Sequence, residues 1–275
     1  MTHTFVRTTR VSTSHGRIAV EEAGHGGTPL LFIHGNSSCR EVFRHQMNGP
    51  LSHGCRLIAF DLPGHGASDD AIDPDRTYTR PGYADCAIEL MQLLGVTEPI
   101  VFGWSLGGHI AIEMMARCPD LRGVMIVGAP PIGPGEAALG FRNSSHGALG
   151  RKRELSESEV AAFAHDMTGG CAEPFILDAI ARTDGRAREI LFNARDAGAG
   201  VDQRQVVEES AVPLAVVNGR ADAFIQLDFF DRIIYANLWE GQCHRLPGHG
   251  HAAFWSGPGL FNPLLERFVR DVGTR

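Results

Sequence analysis

Short apolar runs rich in Val, Ile, Leu and Phe recur at residues 17–23, 30–33, 56–60, 100–102, 124–127 and 214–217, and each reads as a β-strand. Helical spacing of apolar residues fills several of the gaps, at residues 83–94 (Ile88, Leu90, Met91, Leu94) and 106–117. This alternation predicts an α/β fold with a mainly parallel sheet covered on both faces. In such sheets the catalytic groups gather at the carboxyl ends of the strands. The alternation stops after Ala129-Pro130-Pro131, where a Gly/Pro-rich stretch runs to Gly150 and helical patterns follow at 156–167, 174–182 and 186–194. The predicted division is a core of residues 1–130 and 211–275 with a helical cap insertion over 131–210. Phe163, Met167, Phe175, Ile176 and Leu177 in the insertion either line an acyl pocket or pack it against the core, and packing is the simpler account of each.

Composition narrows the functional classes. A chain of 275 residues with 43% hydrophobic content can bury one large core. A formal charge of -7 argues against a nucleic-acid partner, because phosphate binding needs clustered Lys and Arg. The tight basic cluster Arg151-Lys152-Arg153 reads as a solvated helix start. Residues 1–20 lack the apolar stretch of a secretory signal, and no window reaches the length of a membrane span, so a cytoplasmic protein without a membrane partner is expected. Cys39, Cys55, Cys86, Cys118, Cys171 and Cys243 form no C-x-x-C pair, which fits reduced thiols.

The chemistry centres on Gly103-Trp104-Ser105-Leu106-Gly107-Gly108, which follows the run Pro99-Ile100-Val101-Phe102 and opens a helical stretch. A serine hydroxyl attacks poorly unless held exposed beside a base, and a sharp strand-to-helix turn holds it so, with glycines where side chains would collide. The helix starting at Leu106 adds a backbone N–H and the positive end of its dipole where an oxyanion would form. A second donor is expected from the loop His34-Gly35-Asn36-Ser37-Ser38, through the backbone or side chain of Asn36, with Gly35 allowing close approach. His34 reads as a structural residue of that loop, and Trp104 joins the candidate substrate-contacting residues.

A serine nucleophile needs a base, and the base needs an orienting acid, in the chain order Ser, acid, His. Asp222 follows the strand pattern and the turn Asn218-Gly219-Arg220, whereas Asp228 and Asp231 fall in the next helical pattern and read as surface residues. Two histidines compete for the base in Gly248-His249-Gly250-His251-Ala252-Ala253-Phe254-Trp255. His251, followed by small and then aromatic residues and by Pro258, fits the role better, and His249 becomes its neighbour. A binuclear metal hydrolase would extend His249-x-His251 to H-x-H-x-D-H, but Ala253 and Phe254 occupy the last two positions. The stretch Asp61-Leu62-Pro63-Gly64-His65-Gly66-Ala67-Ser68 has neither a P-loop lysine nor a dinucleotide fingerprint. No metal or cofactor is expected.

Over nearly its whole length the chain resembles the α/β-hydrolase superfamily. Within it, His34-Gly35-Asn36-Ser37-Ser38 and the runs at 61–79, 101–114, 181–187, 216–220 and 237–241 look like the metal-independent N-acyl-homoserine lactone lactonases. The resemblance implies ring opening of homoserine lactones, hence quorum quenching, with Ser105, Asp222, His251 and Asn36 on the functional positions. It also implies two departures: Asp222 stands where glutamate can occur, and Phe163 stands where a tyrosine can contact substrate, so that contact lacks a hydroxyl here. The rival readings are a carboxylesterase, a carbon–carbon bond hydrolase of meta-cleavage type with the same triad and cap, and a ligand receptor on the same scaffold with little turnover.

Overall fold

A computed structural model describes residues 6–24, 26–143 and 145–273. Positions 1–5 of the polar N-terminal segment, residues 25, 274 and 275 of the expected core and residue 144 of the expected insertion lie outside them. The described strands are β1 (Val6–Thr13), β2 (Gly16–Ala23), β3 (Thr28–Ile33), β4 (Cys55–Phe60), β5 (Ile100–Trp104), β6 (Gly123–Val127), β7 (Leu214–Gly219) and β8 (His244–Leu246). They form one sheet in the order β1-β2-β4-β3-β5-β6-β7-β8, antiparallel at β1/β2 and β2/β4 and parallel elsewhere. The longer helices are α1 (Arg80–Leu93), α2 (Leu106–Met115), α3 (Glu157–Thr168), α4 (Pro174–Arg182), α5 (Gly185–Asp196), α6 (Gln203–Glu209) and α7 (Pro258–Gly273).

Both faces of the sheet are covered, which is why the central strands are continuous apolar runs. Alternate residues point to opposite faces. Leu31, Ile33, Val101, Ile126 and Val216 pack with residues of α1, α2, α5 and α6, while Leu30, Phe32, Phe102, Val127 and Val217 pack with residues of α7, α3 and α4. Two strands escaped the sequence reading. β1 is a largely exposed antiparallel edge with no apolar face, and β8 is only three residues long.

The chain between β6 and β7 is helical. α3 starts at a reciprocal cap, where the Ser156 hydroxyl accepts from the Glu159 N–H at 3.3 Å and the Glu159 carboxylate accepts from the Ser156 N–H at 2.8 Å. The basic cluster at Arg151 does not start this helix. It lies in the turn before it, where Arg151 pairs with Asp196 and faces the central cavity. Arg188 of α5 is buried and donates to the carbonyls of Lys152, Arg153 and Ile180 and to the Ser37 hydroxyl, at 2.7 to 3.2 Å. One guanidinium thus ties the helical segments to the loop after β3. Among the described residues no helix is long and apolar enough to cross a membrane.

Candidate active site

Parallel pairing sets the carboxyl ends of the central strands side by side. Ile33 of β3 is level with Gly103 of β5, and Trp104 is level with Val127 of β6, so the loops after β3, β5 and β6 meet at Ser105. Ser105 itself has φ 53° and ψ -116°, a left-handed conformation that costs an L-residue on the order of 1–3 kcal/mol and persists only where the surroundings enforce it. They do so here. The Ser105 N–H donates to the Val127 carbonyl at 2.7 Å, and the Ser105 carbonyl accepts from Gly108 and His109. A Cβ at Gly107 would sit 1.9 Å from the Ile33 carbonyl oxygen, and one at Gly103 would sit 2.2 Å from that of Gly107.

His251 Nδ1 lies 2.8 Å from Asp222 Oδ2, and both residues are buried. The other carboxylate oxygen accepts from the N–H groups of Phe224 and Ile225 at 2.8 and 3.1 Å, so the acid is held on both sides. The imidazole is fixed just as closely. Its backbone carbonyl accepts from Trp104 Nε1 at 3.0 Å, the Phe224 ring packs edge-on at 4.8 Å, and Gly128 leaves room where a Cβ would come within 2.5 Å of the ring. Gly128, at φ 64°, is kept in place by its N–H donating to Asn218 Oδ1 at 2.8 Å. Asn218 is part of the site's scaffold that sequence reasoning did not single out, although it lies within the 216–220 run.

Ser105 and His251 face one cavity of about 320 Å³, which Gly35, Asn36, Trp104, Leu106 and Phe163 also line. Asp222 sits behind His251, off the cavity. His249 is directed elsewhere, with Nδ1 3.0 Å from the Ser256 hydroxyl, and Asp228 and Asp231 are exposed. Of the five apolar insertion residues, Phe163 and Met167 line the cavity, whereas Phe175 packs on Trp255 at 5.4 Å and Ile176 is core. Phe163 meets the Phe224 ring edge-on at 6.1 Å.

The loop after β3 is more constrained than its sequence suggests. Asn36 Nδ2 donates to the Gly150 carbonyl at 2.9 Å, which commits part of the side-chain amide. His34 is structural, as its sequence context suggested. Its Nδ1–H donates to the Gly35 carbonyl at 2.7 Å, its Nε2 accepts from the Leu62 N–H at 3.0 Å, and burial pushes its pKa down to about 4. His109, one turn beyond Ser105, is clamped by Gln203, whose Oε1 lies 2.7 Å from Nδ1 and whose Nε2 donates to the His109 carbonyl at 3.0 Å. Burial and nearby arginines push its pKa down to about 3. No periodicity in the sequence marks this pair, because its partners are 94 residues apart.

The family profile described as "Alpha/beta hydrolase family" matches residues 30–264. The chain belongs to the alpha/beta hydrolase family. It is a hydrolase whose solved neighbours include the N-acyl homoserine lactonase AidH complexed with N-butanoyl homoserine, at 48% identity and a TM-score of 0.95 over 97% of each chain. Esterase RhEst1 from Rhodococcus sp. ECU1013 matches at 25% identity with a TM-score of 0.81, covering 97% of this chain and 99% of its own. Among curated relatives, a 2-hydroxy-6-oxononadienedioate/2-hydroxy-6-oxononatrienedioate hydrolase of Pseudomonas sp. is 23% identical over 93% of this chain and 92% of its own.

Proposed function

We propose that this hydrolase opens the lactone ring of N-acyl-homoserine lactones, with Ser105 as nucleophile, His251 as general base and acid, and Asp222 as the orienting carboxylate. The observation that carries the reading is the strained Ser105 elbow sharing a cavity with the buried His251–Asp222 pair, in a chain similar along its whole length to a lactonase. A further fact about that relative supports it. The lactonase is complexed with N-butanoyl homoserine, whereas its serine-to-glycine variant is complexed with N-hexanoyl homoserine lactone, the ring still closed.

In the proposed reaction His251 Nε2 takes the Ser105 proton as Oγ attacks the lactone carbonyl. Asp222 keeps the imidazole proton on Nδ1, so Nε2 offers its lone pair. The oxyanion accepts from the backbone N–H groups of Leu106 and Asn36. Collapse breaks the ring C–O bond, and His251 passes its proton to the alkoxide, which stays tethered and would reclose unless water is well placed. His251 then deprotonates a water that attacks the acyl-enzyme, releasing the hydroxy acid and restoring Ser105. Residues 131–210 act as a helical cap over a core formed by 1–130 and 211–275, with Phe163 and Met167 in the acyl wall. Removal of homoserine lactone signals, hence quorum quenching, is the cellular consequence of this reading.

The test is incubation of wild type and Ser105→Ala with N-hexanoyl-homoserine lactone under chelator, followed by product mass. A serine-dependent product heavier by one water that recloses in acid supports the proposal. Release of hexanoate would mean amide cleavage and overturn it. The relative described as a 2-hydroxy-6-oxononadienedioate/2-hydroxy-6-oxononatrienedioate hydrolase favours a second reading, that this site cleaves carbon–carbon bonds; turnover of a dienone substrate but not of lactones would select it.

A further inference from the structure

The charge of the cavity does not follow that of the chain. The sequence carries a formal charge of -7, yet the cavity-lining residues include Arg80, Arg142, Arg151 and Arg195 and no Asp or Glu. Two of these cations have structural partners. Arg151 and Arg195 both pair with Asp196, and both lie over the Phe192 ring, at 5.2 and 4.9 Å. Arg142 donates Nε to the Ile225 carbonyl at 2.9 Å.

Arg80 differs. It is the first residue of α1, and its Nη2 donates to the Ala199 carbonyl at 2.9 Å, its one side-chain hydrogen bond among the described residues. Its Nε is buried without an acceptor, and among those residues no carboxylate forms an ion pair with it. Glu113, whose charge acts on Arg80, has both oxygens engaged, by the Val201 N–H and by Arg117 Nη2, each at 3.1 Å. A guanidinium offers five donors, and Nη1 is neither hydrogen-bonded among the described residues nor enclosed, so a donor remains that a molecule in the cavity can reach.

Ser105 and Arg80 line the same cavity of about 320 Å³, so an acyl chain reaching from one to the other is short, on the order of six carbons.

We propose that Arg80 is an anion anchor at the far end of the acyl pocket, and that the preferred substrate is a short-chain lactone or ester whose acyl group ends in a carboxylate. The proposal rests on the reading of Ser105 as the reacting end. A guanidinium–carboxylate contact with the spare Nη donors supplies a counter-charge, and Phe141, Leu191 and Phe192 cover the methylenes between.

The experiment compares kcat/KM for N-hexanoyl- and N-(5-carboxypentanoyl)-homoserine lactone, and for the matching 4-nitrophenyl esters, in wild type, Arg80→Met and Arg80→Lys. Wild type is expected to favour the carboxylated member of each pair by about tenfold or more. Arg80→Met loses that preference and Arg80→Lys keeps part of it. A wild-type preference for the hexanoyl compounds, or a preference that survives in Arg80→Met, overturns the proposal. If lactones are inert while the aryl esters show the Arg80-dependent preference, the lactonase reading fails and the anchor stands. Calorimetric titration with adipamic acid and with hexanamide, which differ in the terminal carboxylate, reads the anchor without turnover. Tighter binding of adipamic acid that is lost in Arg80→Met supports it, and equal binding of the two by wild type overturns it. Should Arg80→Met fail to fold, Arg80→Gln takes its place in both measurements.

Discussion

Asp222→Asn separates the orienting role of the carboxylate from its structural role, because the two oxygens of Asp222 have different tasks. Oδ1 accepts from the Phe224 and Ile225 N–H groups, and Oδ2 faces His251 Nδ1. In the variant the amide oxygen must stay at the Oδ1 position. The reverse orientation would set an NH₂ against two N–H donors, leaving two buried groups unmet at about 1–3 kcal/mol each. The NH₂ therefore faces His251 and forces Nδ1 to accept, which moves the ring proton to Nε2, where it blocks proton transfer from Ser105. A wrong tautomer in a triad lowers kcat on the order of 10⁴, about 5.5 kcal/mol of transition-state stabilisation. KM and fold should change little, since every backbone contact of residue 222 is retained. Lactone hydrolysis followed by titration of released acid gives kcat and KM, and a thermal melt gives stability. A kcat within tenfold of wild type, or a melting temperature lower by more than about 10 °C, would refute the reasoning; the latter corresponds to several kcal/mol for a domain of this size.

Three further outcomes follow from the same structure. Gly107→Ala should abolish soluble, active protein or cost several kcal/mol of stability, since its Cβ would meet the Ile33 carbonyl at 1.9 Å; a wild-type melting curve would show that the elbow yields. Asn36→Ala should lower kcat about tenfold or less, because the backbone N–H remains and the side-chain amide serves Gly150. A loss of 10²–10³ would instead make the side chain the oxyanion donor. His34, His65 and His109 have native pKa values pushed down to about 4, 3 and 3 by burial, below the 6.5 of an unfolded histidine. The unfolded chain therefore binds more protons below pH 6.5, so the stability these neutral histidines confer is complete above that pH and is lost as pH falls toward 4. Denaturant titrations should show unfolding free energy dropping between pH 6.5 and pH 5 by about 1.4 kcal/mol per pH unit for each such group. A flat profile would contradict the buried neutral state.

The geometry of the proposed reacting end was legible in the sequence because it is local. Gly103, Ser105 and Gly107 occupy one turn, and the steric reason for each glycine is the turn itself. Asp222 and His251 each follow a recognisable strand end or small-residue frame, so chain order was enough to pair them. The parallel strands were legible for a related reason, since burial on both faces leaves them uniformly apolar. β1 was not, because an exposed edge strand needs no apolar face. The basic cluster at 151–153 is solvated as read, but it lies in the turn before α3 rather than at a helix start, and Arg151, paired with the exposed Asp196, also edges the cavity.

The same reasoning explains why the cationic wall stayed hidden. Arg80, Arg142, Arg151 and Arg195 are spread over 116 positions, from the first residue of α1 to the end of α5, and only the folding of the β6–β7 segment over the sheet brings them to one cavity. A property of that kind belongs to the topology and has no local pattern. The proposed reaction and the proposed substrate were therefore unequally readable: the elbow and its partners point to serine chemistry at a carbonyl, while the side chains proposed to select the acyl group meet in a way the sequence does not display. Arg80 makes the difference concrete. In the sequence it is an arginine before a proline at a helix start, a position that solvent normally satisfies, but in the fold its Nε is enclosed without an acceptor and the residue lines the cavity that Ser105 faces.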